Sequence, residues 1–126
     1  MAIAGLVLSF GSGCQSHYVD PPQQRTFVEV VKIKQGEEAF FAKFGRYGTL
    51  EELGPHGANL ISDKAVRGKY AGYDFRLAAS DAKYSFTAAP DSQHQYSTTS
   101  YYCDQTGVVR ESRGPGVATA ESEQVR

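Results

Sequence analysis

The chain has 126 residues, which bounds it to one domain with short appendages. Lys and Arg number 13 against 14 Asp and Glu, a formal net charge of -1, and this balance argues against a nucleic-acid binder, which needs a basic face. Hydrophobic residues at 40% and aromatics at 12%, all Tyr and Phe, suffice for a packed core, so wholesale disorder, a collagen and a polytopic membrane protein are excluded.

In chain order, residues 1–13 come first and carry no charged side chain. They are too few to cross a bilayer as a helix, which takes about 20 apolar residues. Their length is that of the apolar region of an export signal, and they close on Gly11-Ser12-Gly13 directly before Cys14. This order resembles a bacterial lipoprotein signal, where a narrow peptidase site demands small residues and the thiol of the next Cys takes the lipid. The resemblance implies a signal segment over 1–13, lipidation at Cys14 and a polar tether over 14–20. Gly11 stands where that family has a branched aliphatic residue, and the positive leading region is absent; a start further upstream would supply it. Two other readings stay open: Cys14 as a small core residue, or a signal peptide without lipid. The second cysteine, Cys103, sits in a strand-like setting of Tyr101, Tyr102 and Asp104. In an exported protein a Cys14–Cys103 disulfide is the alternative to lipidation, and the two exclude each other.

Asp20-Pro21-Pro22 is a helix-start signal, because Asp caps orphan N–H groups and proline is tolerated in a first turn. From Gln23 to Phe44 the pattern is helical. Val30, Ile33, Glu37, Phe40 and Phe44 follow steps of three and four, and Phe27, Val31 and Phe41 widen that stripe. Gly36 within it points to close packing, and Gly45 is a natural stop. The connecting region, 48–68, holds the breaker pair Gly54-Pro55 and a short helix over Ala58–Val66, with Leu50, Leu53, Leu60 and Ile61 as anchors. Tyr73, Phe75 and Leu77, then Tyr84, Phe86 and Ala88, alternate with polar residues around a Ser80-Asp81 turn, which predicts a hairpin. A polar loop at Pro90–Gln93, a third strand over Tyr96–Cys103, a turn at Asp104–Gly107 and a short strand over Val108–Glu111 follow. Residues 112–126 lack an apolar period and read as a disordered tail. The predicted fold is therefore α+β: one long helix packed on a three- to four-stranded antiparallel sheet, spanning 21–111.

That order resembles the globular part of type IV pilins and type II secretion pseudopilins. The helix exit Phe44-Gly45-Arg46-Tyr47-Gly48 with Leu50 and Leu53 is similar to theirs. So are the approach to the first strand, Leu60-Ile61-Ser62-Asp63 leading to Ala71-Gly72-Tyr73-Asp74-Phe75, and the second strand, Tyr84-Ser85-Phe86-Thr87. The closing hairpin, Tyr101-Tyr102-Cys103-Asp104-Gln105-Thr106-Gly107-Val108-Val109-Arg110, completes the likeness, which covers roughly 28–111. The resemblance implies a non-catalytic structural subunit of an envelope complex. The unbroken apolar helix with which pilins begin has no counterpart here, which points to a lipid anchor as the substitute and to a periplasmic or outer-face location.

Chemical motifs are missing from the sequence. His17, His56 and His94 are far apart, and no nucleophile elbow, phosphate loop or Cys-x-x-Cys occurs. Glu37-Glu38 and Glu51-Glu52 read as solvated charge, since adjacent helical residues do not face each other. Asp104 reads as a turn former, with cation ligation as the alternative that the pseudopilin likeness raises. No catalytic residue, metal or cofactor is expected. Tyr73, Tyr101 and Tyr102 are the candidates for contact with a protein partner, against sheet packing as the plainer role of strand tyrosines. The expected partners are the membrane, through the lipid, and other envelope proteins, with no nucleic acid. A soluble exported binding module, bridged by its two cysteines, is the competing function.

Overall fold

Helix α1, Pro21–Phe44, lies across one face of an antiparallel meander in the computed structural model, which describes residues 21–91, 99–114 and 116–125. The expected signal segment, Cys14, the tether, His17, His94 and the start of the third strand at Tyr96 fall outside the described residues. Strand formers Val28, Val30 and Val31 do not prevent the helix, because its apolar stripe has a face to cover and tertiary packing outweighs propensity. Val30, Ile33 and Phe40 are buried from that stripe. Each side chain buried so completely contributes roughly 1.5–3 kcal/mol. The helix stops at Gly45, whose φ of 72° is the left-handed form glycine accepts, and the Gly45 N–H donates to the Phe41 carbonyl at 2.8 Å.

Two short helices follow, α2 at Leu50–Leu53 and α3 at Asp63–Val66. Thr49 caps α2 through a reciprocal box: its hydroxyl accepts from the Glu52 N–H at 3.2 Å, and its own N–H donates to Glu52 Oε1 at 3.0 Å. The helix expected over Ala58–Val66 is cut to its second half. Residues 57–61 instead fold back on α2, with the Leu60 and Ile61 N–H groups donating to the Leu53 carbonyl and Asn59 at a φ of 58°. Gly36 is where this connection touches α1. A Cβ there would stand 3.3 Å from Ile61 Cγ2, so glycine permits the close approach. Leu53 and Ile61 are buried as anchors, whereas Leu60 is 38% exposed.

The sheet comprises β1 (Lys69–Tyr70), β2 (Tyr73–Ala79), β3 (Tyr84–Pro90), β4 (Ser100–Asp104), β5 (Val109–Ser112) and β6 (Glu123–Gln124), paired in sequence order. Register Phe75↔Ala88, Leu77↔Phe86 and Phe86↔Cys103 puts the predicted apolar alternation on the helix side. Phe75 and Phe86 meet edge to face at 5.3 Å, and Phe27 of α1 lies 5.6 Å from Tyr101.

The sheet is wider than the three to four strands expected. At one edge β1 is added through a two-residue turn, Ala71-Gly72, with φ of 53° and 85°. At the other edge, the segment expected to be a disordered tail returns to the sheet. Glu123 pairs with Glu111 and Gln124 with Arg110, the Val125 N–H donates to the Val109 carbonyl at 2.9 Å, and the buried Ala118 donates its N–H to Ser100 Oγ at 2.8 Å. These ties are mostly backbone bonds, so no hydrophobic period announces them.

Candidate functional site

The three tyrosines chosen from sequence are divided by the pleat. Tyr73 and Tyr101 point toward α1 and are 1% and 3% exposed; the Tyr73 hydroxyl donates to the Thr99 carbonyl at 2.8 Å. Both rings are committed to the core and present almost no surface to a partner. Tyr102 lies on the opposite face, half-buried, and its hydroxyl donates to Asp104 Oδ2 at 3.0 Å. Asp104 also accepts at Oδ1 from the Thr106 N–H, at 3.0 Å, and from the Thr106 hydroxyl. Partial burial works to raise the Asp104 carboxyl, but the donors from Thr106 and Tyr102 outweigh it and hold the group below its ordinary value. Asp104 is thus engaged as the organiser of its turn. With Lys83, Ser85 and Tyr102 it borders a depression of about 350 Å³ on this face.

A second surface stands at the C-terminal end of α1. Phe41 and Phe44, both expected in the buried stripe, are 40% and 50% exposed. Phe40 alone of the three turns into the core. The exposed rings continue an aromatic ledge. Phe44 lies 4.5 Å from Phe40, Phe41 lies 4.6 Å from Tyr47, and Tyr47 lies 5.0 Å from Tyr84. Lys43 stands 5.5 Å above the Phe44 ring and Arg46 stands 5.2 Å above the Phe40 ring.

Beneath this ledge the reading of Glu37 as solvated charge is overturned. Glu37 is 0% exposed, whereas its neighbour Glu38 points outward and pairs with Lys34 at 3.0 Å. The helical period decides this: position 37 falls on the line of Ile33 and Phe40, so the carboxyl enters the core with them. Its Oε1 accepts from the Gly48 N–H at 2.7 Å, and its Oε2 has no hydrogen-bond partner among the described residues. Burial pushes the group up to about 7 against the opposing pull of the Gly48 N–H, and the negative Glu52 adds to the rise. Tyr84, whose hydroxyl is buried, is pushed well above the ordinary phenol value by burial and by the adjoining Cys103. Cys103 is free, fully buried and pushed up to about 12 by burial, hence an inert thiol rather than a nucleophile. Glu51-Glu52 also diverges from plain solvated charge. Glu51 is exposed, but Glu52 accepts both guanidinium nitrogens of Arg46 at 2.9 and 3.0 Å as well as the Thr49 N–H. The Arg46 bonds are the main cause holding its carboxyl at about 2.

Cys14 lies outside the described residues, and His56 is exposed. Among the described residues no group of three or more His, Cys, Asp or Glu is placed to hold a metal, and no helix is long and apolar enough to cross a membrane. No protein-family model, curated protein or solved structure matches the chain. Sequence reasoning missed Glu37 as a site residue although its own periodicity contained the signal. It missed the exposure of Phe41 and Phe44 because periodicity does not say how far along a helix the covering layer reaches.

Proposed function

We propose that the chain is a pilin-like envelope lipoprotein, held to a membrane by lipid on Cys14, that acts as a non-catalytic structural or interaction subunit of a membrane-associated complex. The observation that carries this reading is architectural. A single long helix lies by one stripe on an antiparallel meander, in the chain order that the pilin and pseudopilin resemblance implies. The four resembling segments fall at the helix exit, the approach to β2, β3 and the β4–β5 hairpin. The small residues before Cys14 support the anchor. The aromatic ledge of Phe41 and Phe44 is the surface we assign to a neighbouring subunit, with Tyr102 on the opposite face as the second contact.

Labelled palmitate tests the anchor. Incorporation into the wild-type chain and its loss in Cys14→Ala are expected. Absent label, or label kept by the variant, would overturn lipid anchoring, and an intact mass lower by two protons would replace it with the Cys14–Cys103 bridge. That bridge would have to form inside the core, where Cys103 is fully buried.

A further inference from the structure

Residues 45–49, which join α1 to α2, lie over the rings of Phe40 and Tyr84, fixed at their ends by the Gly45 N–H bond to Phe41 and the Thr49–Glu52 box, with the Tyr47 ring against Phe41 and Tyr84. The buried tie is the Gly48 N–H donated to Glu37 Oε1 at 2.7 Å. Gly48 itself lies flat on the Phe40 ring, where a Cβ would stand 3.0 Å from Cζ. Beyond it, the Tyr47 N–H reaches the Ser80 carbonyl at 3.3 Å, a long bond, and Arg46 is held by Glu52 at the surface. The strap therefore closes on a carboxyl whose second oxygen is buried without a partner.

We propose that Glu37 is a proton-operated latch: neutral, it holds the 45–49 strap shut over Phe40 and Tyr84, and on losing its proton it favours a strap-open form that lets water reach the carboxylate and joins those rings to the exposed Phe41–Phe44 ledge. The inference is independent of how the chain is anchored or what it assembles with. Ionisation strengthens the Gly48 bond, but an ionised carboxylate in a dry site needs more donors than that one N–H, and opening the strap supplies water. The groups facing Glu37 leave it as the responder. Lys34 and Glu38 of α1 pair with each other, Arg46 of the strap is bound by Glu52 of α2, and Glu52 stays ionised down to about 2. Tyr84 of β3 and Cys103 of β4 are both pushed upward by burial and stay neutral.

Amide hydrogen exchange on the full chain, corrected for the intrinsic pH dependence of exchange, reads the latch directly. If the open form returns Glu37 to its ordinary value of 4.5 from about 7, protection at Gly48 falls roughly 70-fold between about pH 5 and about pH 8. Protection at Gly48 must also stay well below that of Phe86 in the central strand β3 and resist low urea, because the opening is local. Protection at Gly48 that does not change with pH would overturn the latch. So would protection equal to that of Phe86 and equally sensitive to urea, which would assign the exchange to global unfolding. Glu37→Gln is expected to flatten the Gly48 profile, and the wild-type profile decides the matter even if that variant folds poorly.

Discussion

Replacing Glu37 by Gln should leave stability near pH 4 almost unchanged and raise it at about pH 8 by up to about 3 kcal/mol. Gln keeps the shape and an acceptor for the Gly48 N–H but cannot ionise. In the wild-type protein the folded state holds the Glu37 proton up to about 7, whereas the unfolded chain releases it near 4.5. Below 4.5 both states are protonated and the contribution of Glu37 is fully present; it is lost as pH rises through about 7. The gap of roughly 2.5 pH units, at about 1.4 kcal/mol each, sets the ceiling. The amide trims that ceiling somewhat, since it places an unpartnered NH₂ where an unpartnered oxygen stood. Glu52 runs in the opposite sense and in a separate window. Held at about 2, it contributes stability above 4.5 that is lost as pH falls toward 2, so it does not blur the comparison. Urea unfolding of both proteins across this range is the assay. Wild-type and variant curves that stay parallel from acid to mild base would refute the account of a buried, proton-holding carboxyl.

Three further outcomes follow from local geometry. Gly48→Ala should cost about 1–3 kcal/mol, because the added Cβ would meet three atoms of the Phe40 ring at 3.0 to 3.2 Å; unchanged stability in urea would show that the ring gives way. Ala71→Asn should stabilise by about 0.5 kcal/mol, since Asn accepts the left-handed position of the β1–β2 turn better than Ala, and a loss by thermal melting would argue against that turn. Ending the chain after Val117 should remove roughly 2 kcal/mol and lower Tm by roughly 10 °C, because Ala118, Val125 and the β5–β6 pairing go with it. An unchanged Tm would mean that the last strand contributes nothing to the domain.

Much of the architecture could be read from residue order. The period of Val30, Ile33 and Phe40 located α1, and alternation at Tyr73–Leu77 and Tyr84–Ala88 located β2 and β3 on the correct faces. Those elements bury side chains, so their periods appear in the sequence. The edge strands do not: β1 and β6 are two residues each and are joined by main-chain bonds, to which side-chain patterns are blind. The candidate site was less legible. Alternation puts Tyr73 on the same face as Phe75, whereas the third strand, recognised by composition alone, gives no face for Tyr101; the structure buries both. Glu37 was passed over because charge was set above position. Thr49-Leu50-Glu51-Glu52 carries the spacing of a capping box, which the structure uses to start α2 and to fix Glu52 beside Arg46. Only the fold shows that the strap carrying Gly48 lies against Phe40 and is held at the surface by Glu52.

Membrane association as a subunit is the centre of the account, and a gentle-detergent pull-down of the full chain from native membranes tests it most directly. Recovery in a stoichiometric membrane complex, reduced when Phe41 and Phe44 are both changed to Ser, is the predicted result. A lone monomer that leaves the membrane without detergent would contradict it.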